Sequence, residues 1–414
     1  MEGVIYNTRL LTYDIKVKGS VSSVMRYSGY QDLPALNVVC TNLIACLRKG
    51  QVLVYSRDKS NTPSRRKGVT TMRVIKAIAF LELKGYLVNT VGKPHKDPEK
   101  RVISFVVATE LFKSLFRTDE IRDECERLHA EALPVVELRD VNKKPVDFRS
   151  NPMIDEMKQA VKKLNEVNEK TTVLDELGNP ITNIYCRIFN ESFEYGGRFY
   201  KADVLQIKNK TTSARLGITI DGEPVVEVDF GNLHFRIVAA KEGIDTYDIP
   251  ADIYADMLED HNNLIDREIV KLAVNMMFNC YDEKTAIKAI QGEINKLSKE
   301  DKLEYTLGNA KSVMMLIYHA YPDFVDYFCS EESYGRRLQN EDSHLAASIL
   351  SVFIDKGIPI LPVHDSFIVA RSYENLLIDT MADKFRERFG AVDHIPVTIS
   401  HKDDGKVTRS RAWV

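Results

Sequence analysis

The N-terminal quarter of the chain contains a clear succession of helical and extended apolar patterns. After Thr70 or Thr71, either of which can cap a helix, apolar residues recur with a helical period at 74, 75, 78, 81 and 83. Gly85 can end this helix in a left-handed turn. Two apolar runs after this glycine predict two strands, joined by the basic turn 92–100. Helix, strand, basic loop and strand together predict a winged-helix-like module.

The middle of the chain is polar and charged, and it predicts a connector. Amphipathic helices rich in charge are predicted over 119–132 and 153–167. We therefore expect an α+β protein of three segments, 1–118, 119–175 and 176–414.

In the last segment, two extended patterns each lead to an aspartate. Residues 223–230 predict a strand with Asp229 near its end, and a helical pattern follows. Residues 357–371 predict two short strands hinged at a turn that contains Asp365. Taken alone, Asp229 fits a helix cap and Asp365 fits an ordinary turn. Two carboxylates on adjacent strands repel each other unless cations lie between them, so together they favour a site for two metal ions.

A basic helix lies between these two patterns. The helix predicted over 262–279 places Arg267 and Lys271 four residues apart on one face. Its apolar stripe consists of Val270, Val274, Met277 and Phe278. Two such cations can bind a triphosphate. The alternative is the solvated basic edge of an amphipathic helix.

A glycine pair precedes the first aspartate. The segment 194–200 places Arg198 directly after two glycines and before two aromatic residues. The glycines would allow close backbone approach to a ligand, and Arg198 could contact a phosphate. The alternative is a glycine hairpin with a surface arginine.

Charge is distributed unevenly along the chain. The net charge is −3, but residues 1–118 hold 20 Lys and Arg against 8 Asp and Glu, and the remainder holds 37 against 52. The basic residues around the predicted recognition helix are Arg57, Lys59, Arg65, Arg66, Lys67, Arg73 and Lys76. We expect them to contact nucleic-acid phosphates without reading sequence. A helix and hairpin that only pack between domains are the alternative.

Composition excludes several other classes. The chain of 414 residues is 44% hydrophobic and 28% charged, as in globular proteins of two or three domains. The six cysteines form no Cys-x-x-Cys pair, which argues against zinc ribbons and dithiol redox sites. Neither a membrane-spanning run nor a secretory signal is apparent, so we expect a cytoplasmic protein.

These motifs together resemble the family A DNA polymerases and the related single-subunit RNA polymerases, over roughly 180–414. The run Asp229-Phe-Gly-Asn-Leu-His-Phe-Arg236 is similar to the family's motif A. Arg267 and Lys271 match the first cations of motif B, and His364-Asp365-Ser366-Phe367 resembles motif C of the RNA enzymes. The segment around Arg198 resembles the family's Asp-x-x-Gly-Arg motif, with Glu194 in place of its aspartate.

The resemblance implies a right-hand palm with an antiparallel sheet, helical fingers and a reduced thumb within 119–175. It implies that Asp229, Asp365 and the Phe230 carbonyl bind two Mg²⁺ or Mn²⁺ ions. Lys271 and Arg267 would bind the nucleoside triphosphate, with Lys271 also a catalytic proton donor, and His234 would lie at the sugar. The residues implied in contacts with the DNA template and primer are Arg198, Arg236 and His364.

Two departures bear on the substrate. His234 replaces the glutamate that screens the sugar in motif A, and Phe278 lies one position early for the aromatic residue of motif B. DNA synthesis in replication of a plasmid, phage or mobile element in bacteria, with a helicase as a further partner, is the favoured reading. An RNA polymerase or primase is the near alternative. A non-catalytic replication initiator is the third interpretation. The presence of all four charged residues of the motifs argues against it; these are Asp229, Asp365, Arg267 and Lys271.

Overall fold

A computed structural model describes most of the chain. The described residues are 8–10, 21, 25–26, 28–47, 52–57, 69–92, 104–122, 125, 128, 134–207, 213–245, 249–258, 267–300, 309–330, 334–390 and 395–414. The chain forms two compact units, 1–134 and 135–414. The helix predicted over 153–167 therefore belongs to the second unit, whereas the one predicted over 119–132 lies partly outside the described residues.

The first unit combines helices with a small sheet. Its elements are β1 (Thr8–Leu10), α1 (Leu33–Leu47), β2 (Val52–Val54), α2 (Thr71–Leu83), β3 (Leu87–Thr90), β4 (Phe105–Ala108) and α3 (Glu110–Leu115). The sheet order is β1-β2-β4-β3, with β1 parallel to β2 and the other pairs antiparallel. Apolar faces of α1 and α2 form its core with β2, β3 and β4.

The helix and hairpin predicted in this unit are confirmed. Thr70 caps α2 by accepting a hydrogen bond from the Arg73 backbone N–H, and Gly85 has a φ of 75°. The antiparallel pairing of β3 with β4 follows, as the two apolar runs predict. The basic turn 93–100 and the residues Lys59, Arg65, Arg66 and Lys67 lie outside the described residues.

The second unit is larger and mixes two sheets with helices. Its elements are β5 (Val136–Arg139), β6 (Pro145–Val146), α4 (Pro152–Glu169), β7 (Val173–Leu174), β8 (Cys186–Asn190), β9 (Ser192–Tyr200), β10 (Thr219–Ile220), β11 (Glu223–Phe230), α5 (Leu233–Glu242), α6 (Ile253–Asp256), α7 (Arg267–Asn279), α8 (Glu283–Glu300), α9 (Ala310–Ala320), α10 (Tyr334–Asp355), β12 (Leu361–Val363), β13 (Ser366–Ala370), α11 (Glu374–Phe389), β14 (Pro396–Asp403) and β15 (Lys406–Trp413). The α+β class is confirmed.

Strand β11 is the centre of the larger sheet. It pairs antiparallel with β13 on one edge and with β10 and β14 on the other, while β12 and β15 extend the sheet on either side. Its apolar residues Val225, Val226 and Val228 are fully buried. The end of β11 is therefore held in place from both sides.

The smaller sheet has the order β6-β5-β8-β9, and helix α10 packs across β9. The glycine pair lies here. A Cβ atom on Gly197 would lie 2.5 Å from Phe189 Cε1 and 2.7 Å from Ser343 Oγ. The close approach that Gly197 allows is thus to the protein's own side chains, and not to a ligand as the sequence suggested.

Among the described residues, no helix is both long and apolar enough to cross a bilayer.

The packing around Gly197 makes a direct prediction. Gly197→Ala should lower the free energy of unfolding by roughly 1–3 kcal/mol. The added methyl on β9 would collide with Phe189 of β8 and Ser343 of α10, and the φ of 92° at residue 197 is strained for alanine. The matched control is Gly292→Ala in α8, where nothing lies within 4 Å and a gain of roughly 0.5–1 kcal/mol is expected. Urea denaturation of both variants measures the difference, and equal stabilities would contradict the packing described here.

Candidate active site

The two aspartates of the extended patterns lie next to each other. Backbone pairing places Asp229 opposite Ser366, the residue after Asp365, and the Phe230 N–H donates a 3.3 Å hydrogen bond to the Asp365 carbonyl. Side chains alternate between the two faces of a strand, and the Phe230 ring packs against Phe385 on one face of the sheet. Asp229, the preceding residue, therefore points to the face that lacks this contact. There both carboxylates line one cleft of about 370 Å³.

The hairpin turn between β12 and β13 presents Asp365. Only two residues, His364 and Asp365, separate the paired strand ends Val363 and Ser366. His364 adopts a φ of 61°, the left-handed region. The hairpin hinged at these residues is therefore confirmed. Ser366 itself is buried and donates a 3.0 Å hydrogen bond to Glu227.

The electrostatics of the carboxylate pair are unfavourable in the protein alone. Neither Asp229 nor Asp365 forms a hydrogen bond or ion pair through its side chain with any described residue. Burial raises the pKa of Asp229 well above its usual value, and the negative charges of Asp365 and Glu227 raise it further. The nearby ammonium of Lys271 offsets this only in part. A bound cation would relieve the repulsion.

The basic helix faces the same cleft. Arg267 and Lys271 both line it from α7, while Val270, Val274, Met277 and Phe278 are buried as the stripe predicts. Residues 262–266 of the predicted helix lie outside the described residues. Lys271 is exposed and forms no ion pair with a described residue, so its ammonium can bind an anion.

Arg267 is held by an acidic residue that the sequence did not reveal as functional. Its Nε lies 3.1 Å and 3.0 Å from the two Asp252 carboxylate oxygens. Asp252 also accepts a 2.7 Å hydrogen bond from Arg411. Burial raises the pKa of Asp252, but the two guanidinium groups outweigh burial and lower it overall.

Arg198 and His234 form a second polar cluster in the cleft. The Arg198 guanidinium donates to both oxygens of Asp342, and His234 Nε2 lies 2.9 Å from the same carboxylate. The His234 ring also meets the edge of Phe278, with 6.3 Å between ring centroids. Arg198 is therefore an oriented group held by a buried acid, rather than the surface arginine of the alternative reading.

Asp342, the acid of this cluster, lies in a recognisable sequence pattern. It lies on the buried face of α10, in the stripe formed by Leu338, Leu345 and Ile349. Burial raises the pKa of Asp342, yet hydrogen bonds from His234 and Arg198 lower it overall. An acidic residue on an apolar helical stripe requires a partner, and that requirement could have directed attention to it.

Two predicted nucleic-acid ligands lie elsewhere. Arg236 is fully buried and donates to the backbone carbonyls of Ile249, at 2.8 Å, and Pro250, at 2.7 Å. The assignment of Arg236 to nucleic acid is therefore wrong, because its guanidinium satisfies the protein's own carbonyl groups. His364 packs against Tyr200 and is not among the described residues that line the cleft, and burial lowers its pKa.

In the first unit, Arg73 also forms an ion pair within the protein. Its guanidinium makes a two-point ion pair with Asp32, with N–O distances of 2.7 Å and 2.6 Å. Arg73 thus contributes to joining α2 to the start of α1. Its contact with nucleic acid stays a prediction.

The donors present fit divalent cations through two carboxylates and one backbone carbonyl. Phe230 lines the cleft although its side chain is buried, so its backbone is what it presents there. Among the described residues, no group of three or more His, Cys, Asp or Glu side chains could hold a metal ion. The candidate metal site therefore depends on Asp229 and Asp365.

Comparison with known proteins supplies no family. No protein-family model matches the chain. A comparison with curated protein sequences also finds no match.

Burial of Arg236 can be tested by stability. Arg236→Met should lower the free energy of unfolding by roughly 2–4 kcal/mol, because one buried and one half-buried carbonyl group lose a charged donor. Arg409→Met, on the exposed strand β15, should change it by less than about 0.5 kcal/mol. Chemical denaturation compares the two, and an Arg236 variant with unaltered stability would contradict this role.

The charge repulsion at Asp229 predicts a gain of stability on mutation. A carboxyl whose folded-state pKa is raised binds more protons when folded, so its contribution becomes destabilising as pH rises above the unfolded-state pKa. Asp229→Asn should therefore raise the thermal midpoint by a few degrees at about pH 8 without divalent ions, and by much less at about pH 4. Calorimetry at both pH values measures this.

The control for this stability test is Asp404→Asn in the exposed β14–β15 turn, which removes the same charge away from the cleft. Added Mg²⁺ should stabilise the wild-type protein and the control, but not Asp229→Asn. Equal stabilisation of all three by Mg²⁺ would contradict a metal site at Asp229.

Proposed function

We propose that the protein is a template-directed nucleotidyltransferase that extends DNA from deoxynucleoside triphosphates. One observation carries this proposal. Asp229 and Asp365, which lie 136 positions apart in sequence, are neighbours in a cleft that Lys271 and Arg267 also line. Two acids beside two cations are what phosphoryl transfer from a nucleoside triphosphate requires.

The carboxylates would hold the metal cofactor. Asp229, Asp365 and the Phe230 carbonyl are the ligands proposed for two Mg²⁺ or Mn²⁺ ions. When bound, such ions lower the pKa of the attacking 3′ hydroxyl and neutralise charge on the departing pyrophosphate. The strand pairing of β11 with β13 orients both ligands before substrate arrives.

The cations of α7 would bind and activate the triphosphate. Lys271 forms no ion pair with a described residue, so its ammonium can contact the phosphates and donate a proton to the leaving pyrophosphate. Arg267, already oriented by Asp252, would bind phosphate oxygens through its planar guanidinium.

The sugar would lie near His234. Motif A contacts the sugar in the polymerases that this chain resembles, and its sequence here favours the DNA enzymes. RNA synthesis by an RNA polymerase or primase is the second candidate, because His234 replaces the glutamate of motif A and because His364-Asp365-Ser366-Phe367 has the form of the RNA enzymes. Arg198, held beside His234 by Asp342, would contact template or primer.

The arrangement of elements supports a polymerase palm. The antiparallel sheet around β11 would form the palm, α7, α8 and α9 the fingers, and α4 a reduced thumb. The first unit would hold duplex DNA through Arg65, Arg66, Lys67 and Arg73, or recruit the protein to an origin. A role in replicating a plasmid, phage or mobile element, with a partner helicase, fits this combination.

Primer extension tests the proposal. The wild-type protein should extend a primed DNA template with Mg²⁺ and deoxynucleotides. Asp365→Asn should reduce the rate by more than about 100-fold, because changes to groups that only orient a metal ligand already cost about 10–100-fold. Asp404→Asn, with the same loss of charge outside the cleft, should extend at the wild-type rate.

Three outcomes would overturn parts of the proposal. Extension by Asp365→Asn at the wild-type rate would refute the metal assignment. Consumption of ribonucleotides alone would replace DNA synthesis by RNA synthesis. Failure to consume either nucleotide pool, with retained binding of DNA, would favour a non-catalytic replication initiator.

A further inference from the structure

Arg411, on the last strand, reaches the candidate active site through the register of the sheet. Backbone pairing places Arg411 opposite Thr398 on β14, and Thr398 opposite Asp229 on β11. Directly paired residues of neighbouring strands point to the same face. Arg411 therefore lies on the face that carries Asp229, two strands away, which corresponds to about 10 Å between the backbones. Arg411, Thr398 and Asp229 all line the cleft.

Two arginines from separate elements converge on one acid in this cleft. Asp252 Oδ2 accepts from Arg411 Nη2 at 2.7 Å and lies 2.9 Å from Arg267 Nη2. The Asp252 side chain is 12% exposed, whereas those of Arg267 and Arg411 are 38% and 54% exposed. The acid is thus half-buried, whereas the two guanidinium groups remain accessible from the cleft.

This cluster carries an excess of positive charge. Arg267 also donates a 2.8 Å hydrogen bond to Glu268, so the two guanidinium groups face two carboxylates, and Lys271, on the same helix as Arg267, leaves one net positive charge. The Arg411 side chain is 54% exposed, and ion pairs of exposed side chains are weak in water, so its guanidinium can turn to a stronger acceptor at little cost. A polyphosphate is such an acceptor, since it carries several charges and presents paired oxygens that match guanidinium geometry.

We infer that Arg411 binds the triphosphate of the incoming nucleotide together with Arg267 and Lys271, and that Asp252 positions both arginines before the triphosphate arrives. The nature of the ligand rests on the proposed function, whereas the convergence of the cations does not. Phosphates of the nucleic-acid backbone are the competing ligand.

Binding of inorganic tripolyphosphate to the full-length protein, measured by calorimetry without metal ions, tests the site independently of catalysis. Arg411→Gln should weaken this binding about 10-fold, as expected for loss of a charged hydrogen-bond donor. Arg411→Lys should have an intermediate effect, because an ammonium keeps the charge but loses the two-point geometry. Arg409→Gln is the matched control, since it removes the same charge from β15 beside Ser213 and outside the cleft, and it should change affinity less than about twofold.

Asp252→Asn tests the positioning role. Asp252 also caps α6, and asparagine preserves that cap. Removing the competing negative charge should strengthen tripolyphosphate binding severalfold. In primer extension the same variant should lower kcat, because the two guanidinium groups are no longer oriented. Unchanged affinity together with unchanged kcat would refute the positioning role.

Nucleotide KM and template affinity separate the possible ligands. Arg411→Gln should raise the KM for nucleotide about 10-fold and leave the Kd for primed template within about twofold. A raised Kd for template with an unchanged nucleotide KM would overturn the inference in favour of backbone phosphates.

The inference and the proposed function can fail separately. If wild-type protein extends primers but Arg411→Gln alters neither tripolyphosphate binding nor nucleotide KM, the inference is wrong and the polymerase function stands. If tripolyphosphate binding depends on Arg411 but no nucleotide is incorporated, the anion site stands and the polymerase function is wrong.

Discussion

The register between β11 and β13 is the constraint on which the candidate active site depends. Val226 pairs with Val369 and Val228 with Phe367, and all four side chains are buried. A slip of one residue would turn the cleft-facing and core-facing side chains of β11 to the opposite faces, so the apolar core specifies the register strongly. That register places Asp229 beside the turn that carries Asp365. The burial of apolar side chains thus stabilises two acids at a separation that their own charges oppose.

The charged groups of the cleft fall into two kinds. Arg198 and Arg267 are each held by a buried or half-buried acid, which fixes the orientation of their planar guanidinium groups. Lys271 and the two central aspartates have no such partner among the described residues. The two arginines are therefore preorganised, whereas the charges of Lys271 and the two aspartates would be stabilised by a bound ligand of opposite charge. The site therefore combines fixed geometry with uncompensated charge, and the raised pKa of Asp229 reflects the latter.

The sequence alone left each charged residue with two roles, and long-range packing decided between them. Arg236 and Arg198 are both arginines that the sequence alone led us to expect in contact with nucleic acid. Arg236 is buried against the carbonyl groups that precede α6, whereas Arg198 meets an acid 144 positions away and still lines the cleft. Periodicity within a segment cannot distinguish these cases, because the partner that satisfies each guanidinium belongs to another element. The same holds for Gly197, whose close neighbours are Phe189 and Ser343.

Local patterns were sufficient for the elements themselves. The cap at Thr70, the strand that ends at Phe230, the hairpin at His364 and the basic face of α7 all follow from interactions within a few residues, which is why the sequence determined them. Only the tertiary structure revealed Asp252 and Arg411 as parts of the cleft, and only it supplied the partners of Asp342. Asp252 meets Arg411 159 positions away, and Asp342 meets Arg198 144 positions away. Strand register and helix packing join these residues, which no local pattern relates.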